Sequence, residues 1–353
     1  MIRENIQSLV ERVNLTCQES RQAMTEIMSG EATAAQIAAF LTALRMKGET
    51  VDELTSFAVV MREHCCTIHP RVRGRLIDTC GTGGDQIKTF NVSTGAAFVI
   101  SGAGVSVAKH GNRSVTSKSG SADVLEILGL NLGMDPLDVE KSIEQVGVGF
   151  MFAPAFHPAM KYAVVPRKEV GIRTVFNLLG PLTNPAGAEA QLLGVYDSKL
   201  VTPVAAALKN LGCREAIVVH GLDGLDEIST LGDSVISRLK EGEITTKKVH
   251  PEDFGAKKTS INSLKGGTPE ANAEVLFRVL SGNCPKDDPK TEIVLVNSAA
   301  GIMLGEKAED FKTGMECAKE SLRSGSAYKK LKELVKISGG SLEKLEEFEH
   351  NCV

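Results

Sequence analysis

The sequence predicts an α/β fold in which a small N-terminal helical domain accompanies a larger α/β domain with a central, mostly parallel sheet. Apolar side chains keep helical spacing through the first 70 residues, whereas from Arg75 onward short apolar runs alternate with helical segments. A chain of 353 residues is long enough for one large or two unequal domains. Its 34 glycines and 42% hydrophobic content are typical of α/β proteins.

The helical domain is predicted from two N-terminal capping patterns. Thr33 with Gln36 forms a capping box before an apolar helical stripe, and Thr50 with Glu53 repeats the arrangement. Such boxes satisfy the free backbone N–H groups at the start of a helix, so they mark where helices begin. We therefore predict that residues 1–73 form a helical unit.

The larger domain is predicted from strands that alternate with helices. Strand patterns occur at 76–80, 105–108, 148–152, 192–196 and 215–220, and helical patterns at about 93–101, 121–128, 135–146 and 198–210. A helical segment at about 166–190 interrupts this alternation, 230–265 has the pattern of short strands and turns, and later helices begin near Pro269, Glu292 and Ala308. The α/β domain is thus expected over 74–165 and 191–353, with its ligand at the carboxyl ends of the strands.

The first strand runs into a glycine-rich loop, Gly81–Asp85. Gln86 occupies the place of the third glycine of a dinucleotide fingerprint, and no P-loop sequence occurs anywhere. Taken alone, the loop could be an ordinary turn between a strand and a helix. The polar groups of Asn91, Ser93 and Thr94 follow at the predicted start of a helix, where backbone N–H groups attract a phosphate. This second feature favours a binding site for a terminal monophosphate.

The second strand leads into a loop over Lys109–Ser121 that is richer in charge. It combines Lys109, Arg113 and Lys118 with several hydroxyl side chains and glycines. A solvated surface loop is the alternative interpretation, but this composition suits a polyanion better. Two such loops close together in the sequence predict a ligand that carries phosphate at two separate points.

An acidic turn, Asp223–Glu227, follows the strand pattern at 215–220. Asp226 and Glu227 are adjacent at the carboxyl end of that strand, and Mg²⁺ prefers a few carboxylates together with phosphate oxygens. Asp223 lies nearer the turn, and its role is left open. Beside a diphosphate site, a metal-bridging role becomes the better interpretation of the acidic pair.

Two further clusters have weaker signals. Arg167, with Lys168 and Arg173 nearby, could hold a carboxylate, although a surface arginine on a helix is the commoner case. The segment His64–His69 resembles half a metal site, but no second pair at zinc spacing follows, so an ordinary helix end is expected.

The composition excludes several classes of function. A net charge of −4 and a pI near 6.0 disfavour nucleic acid as the main partner. No apolar run approaches membrane-spanning length, and the N-terminus lacks a signal-peptide core. Eight cysteines without a scaffold spacing indicate reduced thiols, so a cytoplasmic protein without a membrane partner is expected.

These motifs together resemble the anthranilate phosphoribosyltransferase family, and the likeness extends in order over nearly the whole chain. The matching segments are Gly81–Asp85, Thr89–Thr94, Lys109–Ser114, Ser119–Asp123, Arg173–Pro185 and Asp223–Glu227. Two mild departures from the family pattern are Gln86, where glycine is frequent, and Ser298, where alanine is usual.

The resemblance implies a Mg²⁺-dependent transfer of phosphoribose from phosphoribosyl pyrophosphate (PRPP) to anthranilate in tryptophan biosynthesis. It implies a homodimer formed through the helical domains, and that the segment at 166–190 joins the N-terminal helices. Ser93, Asp226 and Glu227 would hold Mg²⁺, two ions per subunit, and Gly81, Asn112 and Arg167 would contact anthranilate. The PRPP-binding residues would be Gly81, Gly84, Asp85, Thr89, Asn91, Val92, Ser93, Thr94, Lys109, His110, Gly111, Asn112, Arg113, Ser114, Val115, Thr116, Ser117 and Ser121.

In this mechanism, Lys109 helps to neutralise the leaving pyrophosphate and Arg167 positions the acceptor. An aromatic amine is neutral at pH 7, so no general base is assigned. Two alternatives remain: a pyrimidine nucleoside phosphorylase, which would need one phosphate and no acidic pair, and a non-catalytic nucleic-acid binder, which would need a basic face.

Overall fold

The computed structural model describes residues 1–85, 87–114, 119–285 and 287–351. The chain begins with four helices: α1 (Ile2–Val10), α2 (Cys17–Met28), α3 (Ala34–Lys47) and α4 (Val51–Glu63). The capping boxes expected at Thr33 and Thr50 are present, and Thr16 forms a third one with Glu19 that begins α2. The N-terminal region is therefore helical, as predicted.

A seven-stranded sheet forms the centre of the larger domain. Its strands are β1 (Leu76–Gly81), β2 (Ser106–Gly111), β3 (Val148–Phe152), β4 (Ala190–Gly194), β5 (Glu215–Gly221), β6 (Ser234–Lys240) and β7 (Glu243–Val249). Their spatial order is β3-β2-β1-β4-β5-β6-β7. The first five strands are parallel, with Ile77 in register with Val107 and Ala190, whereas β6 and β7 form an antiparallel hairpin. The prediction of a mostly parallel sheet is confirmed.

Helices connect and cover the strands. They are α5 (Val92–Gly102), α6 (Ser121–Ile127), α7 (Pro136–Val146), α8 (Ala153–Phe156), α9 (Lys161–Val170), α10 (Phe176–Leu182), α11 (Val201–Asn210), α12 (Ile261–Leu264), α13 (Pro269–Ser281), α14 (Pro289–Leu304), α15 (Phe311–Arg323), α16 (Ser326–Ile337) and α17 (Leu342–Asn351). The helical segment expected at about 166–190 is two helices, α9 and α10, and it begins five residues earlier, at Lys161.

One face of the sheet is covered by α5 and α13–α16. Residues 293–304 of α14 are buried throughout, which explains why this helix has apolar residues on all sides. The unusual Ser298 lies within it, where its hydroxyl donates to the Val294 carbonyl at 2.7 Å. A buried hydroxyl that is satisfied one turn back along the helix costs little, so this departure is accommodated within the core.

The opposite face shares its core with the N-terminal helices. Phe40 of α3 and Phe57 of α4 belong to the same buried apolar cluster as Leu178 of α10, Leu208 of α11 and Val218 of β5. Helices α9 and α10 pack on α3 and α4. The helices therefore lie over the carboxyl ends of the central strands. No helix in the described ranges is long and apolar enough to cross a membrane.

Candidate active site

The site lies where the chain reverses its direction of travel across the sheet. From β1 the chain passes to β2 and β3 on one side, and it then returns to β4 on the other side of β1. The connections therefore diverge at the carboxyl ends of β1, β2 and β4, which leaves a crevice there. Gly81 and Gly111 end the first two of these strands, so both glycine-rich loops open into this crevice.

The acidic turn after β5 folds back over the ends of β1 and β4. A Cβ atom added at Gly81 would lie 2.7 Å from Asp226 Oδ2, and one added at Gly194 would overlap the Asp226 backbone. Only glycine permits this close approach of backbone and carboxylate at both strand ends. The two glycines thus place Asp226 directly over the crevice.

Asp226 and Glu227 are both buried, and each accepts one backbone hydrogen bond. Asp226 Oδ2 accepts from the Gly83 N–H at 2.9 Å, and Glu227 Oε1 accepts from the Ser93 N–H at 3.1 Å. Burial, followed by the charge of Asp85, raises the pKa of Asp226 to about 6. Burial and the Asp226 charge raise the pKa of Glu227 well above its usual value. Two adjacent buried carboxylates with raised pKa values are stabilised in their charged form by any positive charge placed beside them.

Lys109 supplies a positive charge close to the acidic pair Asp226 and Glu227. Its ammonium group is buried, and it donates to the Thr79 carbonyl at 2.6 Å and to Ser93 Oγ at 3.4 Å. Burial lowers its pKa, while the nearby acidic groups Asp78 and Glu227 act in the opposite direction. Lys109 therefore connects the second strand to the start of α5 and faces the acidic pair.

The two glycine-rich loops contact each other across the crevice. Asn91 Nδ2 donates to the Ser119 carbonyl, and Ser119 Oγ donates to Asn91 Oδ1, both at 3.4 Å. In the first loop, Asp85 accepts from the Thr89 N–H at 2.9 Å and from the Thr89 hydroxyl at 3.2 Å. The buried Thr94 hydroxyl, at the start of α5, has no hydrogen-bond partner in the described part of the chain. An unsatisfied donor at a helix N-terminus fits an incoming anion.

These groups surround a cavity of about 290 Å³, which we call the polar cavity. The sequence-predicted residues that line it are Gly81, Gly84, Asp85, Thr89, Asn91, Val92, Ser93, Thr94, Lys109, His110, Gly111, Asn112, Arg113, Ser114, Ser121, Arg167, Asp226 and Glu227. The structure thus brings together every predicted site residue that it describes. Val115, Thr116 and Ser117 lie outside the described residues, as does Lys118.

Arg113 differs from the other cations at this cavity because its charge is already compensated. Its guanidinium contacts Asp123 Oδ1 at 3.0 Å and Glu126 Oε2 at 2.8 Å. Asp123 also accepts from the N–H groups of Ser114 and Gly120, so the acidic residue organises the loop around it. Arg113 therefore shapes the second loop in addition to lining the cavity.

A second cavity of about 410 Å³ adjoins the first, between the strand ends and helices α4 and α8–α10. We call it the histidine cavity, because His110 and His157 lie side by side in its wall with ring centroids 5.0 Å apart. His110 Nδ1 is 3.2 Å from the Gly180 carbonyl. Within the described chain, neither Nε2 atom has a hydrogen-bond partner. Burial, together with the charge of His157, lowers the pKa of His110 to about 3. Burial lowers the pKa of His157 to about 4.

Arg167 of α9 lines both cavities. Its guanidinium lies 5.1 Å from the ring centroid of Phe176, and burial lowers its pKa. No carboxylate of the described residues contributes to that pKa. A half-buried guanidinium that stacks on a ring and lacks a carboxylate partner is suited to binding a carboxylate ligand. Gly81, His110 and Asn112 also line both cavities, so the two cavities adjoin each other.

Four other residues that the sequence singled out lie outside the two cavities. Asp223 accepts a short hydrogen bond from the Ser229 hydroxyl and one from the Leu225 N–H, so it shapes the turn and lines neither cavity. Lys168 is exposed and also lines neither cavity. Arg173 does not join Arg167 at a carboxylate site; it donates instead to the Gly84 carbonyl. His64 ends α4 as expected, with Nδ1 2.9 Å from the Val60 carbonyl.

Much of the wall of the histidine cavity was not predicted from the sequence. His157, Met61 and Phe176 contribute to its wall from three separate segments. His157 and Met61 stand in no glycine-rich or charged motif, so no local signal marked them, whereas Phe176 lies in the matching segment Arg173–Pro185 but was given no role there. Within the described ranges, no group of three or more histidine, cysteine or acidic side chains forms a ready metal site. A metal here would therefore need ligand oxygens in addition to Asp226, Glu227 and Ser93.

Comparison with known proteins gives matches over nearly the whole chain. Residues 3–65 match the helical bundle domain of the glycosyl transferase family, and residues 73–328 match the α/β domain of that family. Anthranilate phosphoribosyltransferase from Methanocorpusculum labreanum is 51% identical over 340 residues, which cover 96% of this chain and 99% of the relative. The enzyme of the same name from Petrotoga mobilis is 48% identical, covering 94% of this chain and 96% of the relative.

Solved structures of enzymes with that name have the same fold. The one from Thermus thermophilus superposes with a TM-score of 0.88 at 40% identity, covering 95% of this chain and 99% of the other. The structure from Saccharomyces cerevisiae, in complex with PRPP and Mg, superposes with a TM-score of 0.87 at 28% identity. The match covers 96% of this chain and 98% of the yeast chain. The yeast enzyme has also been solved with 4-fluoroanthranilate.

Proposed function

The chain belongs to the anthranilate phosphoribosyltransferase family, and we propose that the polar and histidine cavities hold the two substrates of its reaction. The enzyme transfers the phosphoribosyl group of PRPP to anthranilate, which yields N-(5′-phosphoribosyl)anthranilate and pyrophosphate in tryptophan biosynthesis. The observation that carries the assignment of the site is that the two cavities adjoin and share wall residues. One is rich in charge and the other is largely neutral, and Arg167 lies between them.

The polar cavity suits PRPP because it offers two separate groups of anion donors. The start of α5, with Asn91, Ser93 and the unpartnered Thr94 hydroxyl, is proposed to bind the 5′-phosphate. The pyrophosphate is proposed to lie against Lys109 and the loop that continues to Ser121. A yeast relative that binds PRPP with Mg and shares this fold supports the assignment.

Mg²⁺ fits the acidic pair. Asp226 and Glu227 are buried with raised pKa values, which is the arrangement that a divalent cation relieves. We propose that Ser93, Asp226 and Glu227, together with oxygens of PRPP, hold two Mg²⁺ ions per subunit. Asp226 accepts its backbone hydrogen bond from the loop at Gly83 and Glu227 from the first turn of α5, which supports two separate positions. Mg²⁺ would neutralise charge on the departing pyrophosphate.

The histidine cavity suits anthranilate, a flat aromatic carboxylate with a neutral amine. Arg167 is proposed to bind the carboxylate, with Gly81 and Asn112 placing the amine toward the polar cavity. Because burial keeps His110 and His157 neutral, their unpartnered Nε2 atoms can accept hydrogen bonds without adding charge. These residues are proposed to hold the amine in line with the ribose carbon that carries the pyrophosphate. Such alignment of the two reacting atoms increases the rate.

The protein's own groups meet the electrostatic demand of the reaction. When the bond to pyrophosphate breaks, positive charge develops on the ribose carbon and negative charge on the leaving group. Lys109 is fixed beside Ser93 by its bond to the Thr79 carbonyl, so it can stabilise the leaving group without reorganising. No residue of the described chain is assigned as a general base, because the attacking amine is neutral.

We further propose a homodimer, formed through the helical domains, in the cytoplasm. Large apolar side chains are exposed on this region, with 64% of Val10 and 72% of Met46 accessible in the single chain. An exposed apolar surface of this kind is typical of association. The cysteines within the described residues are free thiols, as expected in a reducing compartment. Sedimentation analysis of the purified protein would test the dimer: a monomer at micromolar concentration would refute it.

One assay tests the proposed function directly. Anthranilate is fluorescent, and we expect its fluorescence to fall when PRPP and Mg²⁺ are added together, and not when either is added alone. Thymidine with inorganic phosphate serves as the matched control for a phosphorylase. Phosphorolysis of thymidine, or no change in fluorescence with PRPP and Mg²⁺, would contradict the proposal.

A further inference from the structure

The end of α9 and the short connection that follows it carry two arginines six residues apart. Arg167 lines both cavities, whereas Arg173 lines neither but contacts the glycine-rich loop of the polar cavity. Helix α9 ends at Gly171, which has φ of 67° and whose N–H donates to the Arg167 carbonyl at 3.1 Å. After this turn, Arg173 donates to the backbone of the glycine-rich loop of the polar cavity, whereas Arg167, before the turn, lines the polar and histidine cavities. A displacement of this turn would therefore move both guanidinium groups.

Arg173 is held by two groups from different parts of the α/β domain. Its Nη2 atom donates to the Gly84 carbonyl, and its guanidinium lies 4.6 Å from the ring centroid of Tyr196, just beyond β4. The Tyr196 N–H in turn donates to Thr82 Oγ1 at 3.1 Å, which ties this ring to the same loop. Any Cβ at Gly84 would collide with the guanidinium. Arg173 is thus packed against the loop backbone.

The charge of Arg173 is also felt at the carboxylates of the polar cavity. Burial raises the pKa of Asp85 and of Asp226, and the positive charge of Arg173 opposes that rise in both. When a ligand brings phosphate and metal to these carboxylates, the charges that Arg173 faces change. A group whose surroundings differ between the free and bound states can shift the position of the segment that carries it.

We propose that Arg173 is a positioning residue that couples the two cavities, so that filling the polar cavity raises the affinity of the histidine cavity for anthranilate. The path consists of Gly84, Arg173, the turn at Gly171 and Arg167. This inference rests on the proposed function, because it takes anthranilate as the occupant of the histidine cavity. By linkage, anthranilate must strengthen binding in the polar cavity by the same factor.

The test measures anthranilate binding by fluorescence titration, with and without pyrophosphate and Mg²⁺. These probes occupy the polar cavity and allow no turnover. In the wild type we expect pyrophosphate with Mg²⁺ to tighten anthranilate binding by roughly fivefold or more. In Arg173→Gln we expect the increase to disappear, while binding of anthranilate alone changes little because Arg167 is intact. Arg323→Gln, an exposed arginine paired with Glu320, is the control and should keep the full increase.

Variants at Tyr196 separate coupling from a general loss of structure. Tyr196→Phe keeps the ring under the guanidinium and should keep the coupling, whereas Tyr196→Leu should lose it. Arg173→Lys keeps the charge but cannot stack or donate as a planar fork, so it should not restore the wild-type factor. Equal thermal unfolding midpoints would show that the fold is preserved in each variant.

The outcomes distinguish this inference from the proposed function. If wild-type protein turns over PRPP and anthranilate but binds anthranilate equally with and without pyrophosphate and Mg²⁺, the coupling is refuted and the function stands. The coupling through Arg173 is likewise refuted if Arg173→Gln keeps the wild-type factor. If the wild type has no turnover, the proposed function fails.

Discussion

The polar and histidine cavities adjoin each other but differ in the physical character of their walls. The polar cavity contains the buried charged groups of Asp226, Glu227 and Lys109, and both glycine-rich loops contribute to its wall. The histidine cavity is largely apolar, and its two imidazoles are kept neutral by burial. From this comparison we propose that charge selects the donor, whereas shape and the guanidinium of Arg167 select the acceptor.

The largest expected effect follows from removing the charge of the acidic pair. Asp226→Asn and Glu227→Gln each keep the shape of the side chain but remove one of the two charged ligands of the cation. We expect kcat/KM to fall roughly 100-fold or more, on the scale of losing one preorganised electrostatic group. The measurement is the loss of anthranilate fluorescence over a range of Mg²⁺ concentrations. Asp223→Asn is the control, because this carboxylate shapes the same turn outside both cavities. Wild-type kinetics in both acidic-pair variants would refute the metal assignment.

A smaller effect, confined to the acceptor, is expected at Arg167. Arg167→Ala removes a charged hydrogen-bond donor worth about 1.5–3 kcal/mol, so the KM for anthranilate should rise roughly 10- to 100-fold. The KM for PRPP should change much less. Steady-state kinetics with each substrate varied in turn measures both, and Lys168→Ala, exposed on the same helix, should leave them unchanged. An equal rise in both KM values would show that the two cavities do not divide the substrates in this way.

The same contrast explains what could be predicted from the sequence. The polar cavity is formed by contiguous loops after consecutive strands, and parallel strands bring their carboxyl ends to one edge. Residues such as Asn91 and Lys109 were therefore recognisable from local composition. His157 and Met61 meet only because α4, α8 and α9 pack over the strand ends, and that packing leaves no local pattern. The helix-packing geometry is a property of the whole core rather than of any motif.

The fold shows a similar limit at its β6–β7 edge. The sequence indicated short strands and turns over 230–265, but not an antiparallel hairpin joined to a parallel sheet. The hairpin turns at Glu241 and Gly242, which have φ values of 52° and 79°. Two consecutive positive φ values are typical of the tightest hairpin turn, which usually carries Asn-Gly or Asp-Gly. Because glutamate rarely occupies the first of these positions, the turn was not recognised.

A third prediction concerns competition between protons and Mg²⁺ at the polar cavity. Burial raises the pKa of Asp226 to about 6, so protons occupy this carboxylate as the pH falls through that value. A metal must then displace a proton, and the Mg²⁺ concentration for half-maximal activity should increase below pH 6. Titrating Mg²⁺ at a series of pH values from 5 to 8 measures this. A half-maximal concentration that stays constant down to pH 5 would contradict a raised pKa at the metal site.

The smallest expected effect is at the histidines, where the prediction concerns stability more than rate. The pKa of His157 is about 4 in the folded protein, below the ordinary value near 6.5. The unfolded chain therefore binds more protons between these values, and the free energy of unfolding should fall as the pH drops below 6.5. For His157, the free energy of unfolding should fall by roughly 2 kcal/mol between pH 6.5 and 4.5. Asp226 acts in the opposite direction below pH 6, because its raised pKa means that the folded protein binds the additional proton.

Comparing the wild type with His157→Gln isolates the histidine contribution, since Asp226 is present in both. Urea unfolding at pH 7, 6, 5 and 4.5 measures the free energy of unfolding of both proteins. As the pH falls, we expect the wild type to lose stability relative to His157→Gln. The kcat of the wild type should have no inflection near pH 6.5, because neither imidazole changes its charge there. A difference in stability that is independent of pH, or an inflection at 6.5 that His157→Gln abolishes, would mean that the histidine carries charge. The histidine cavity would then resemble the polar cavity in selecting its ligand by electrostatics.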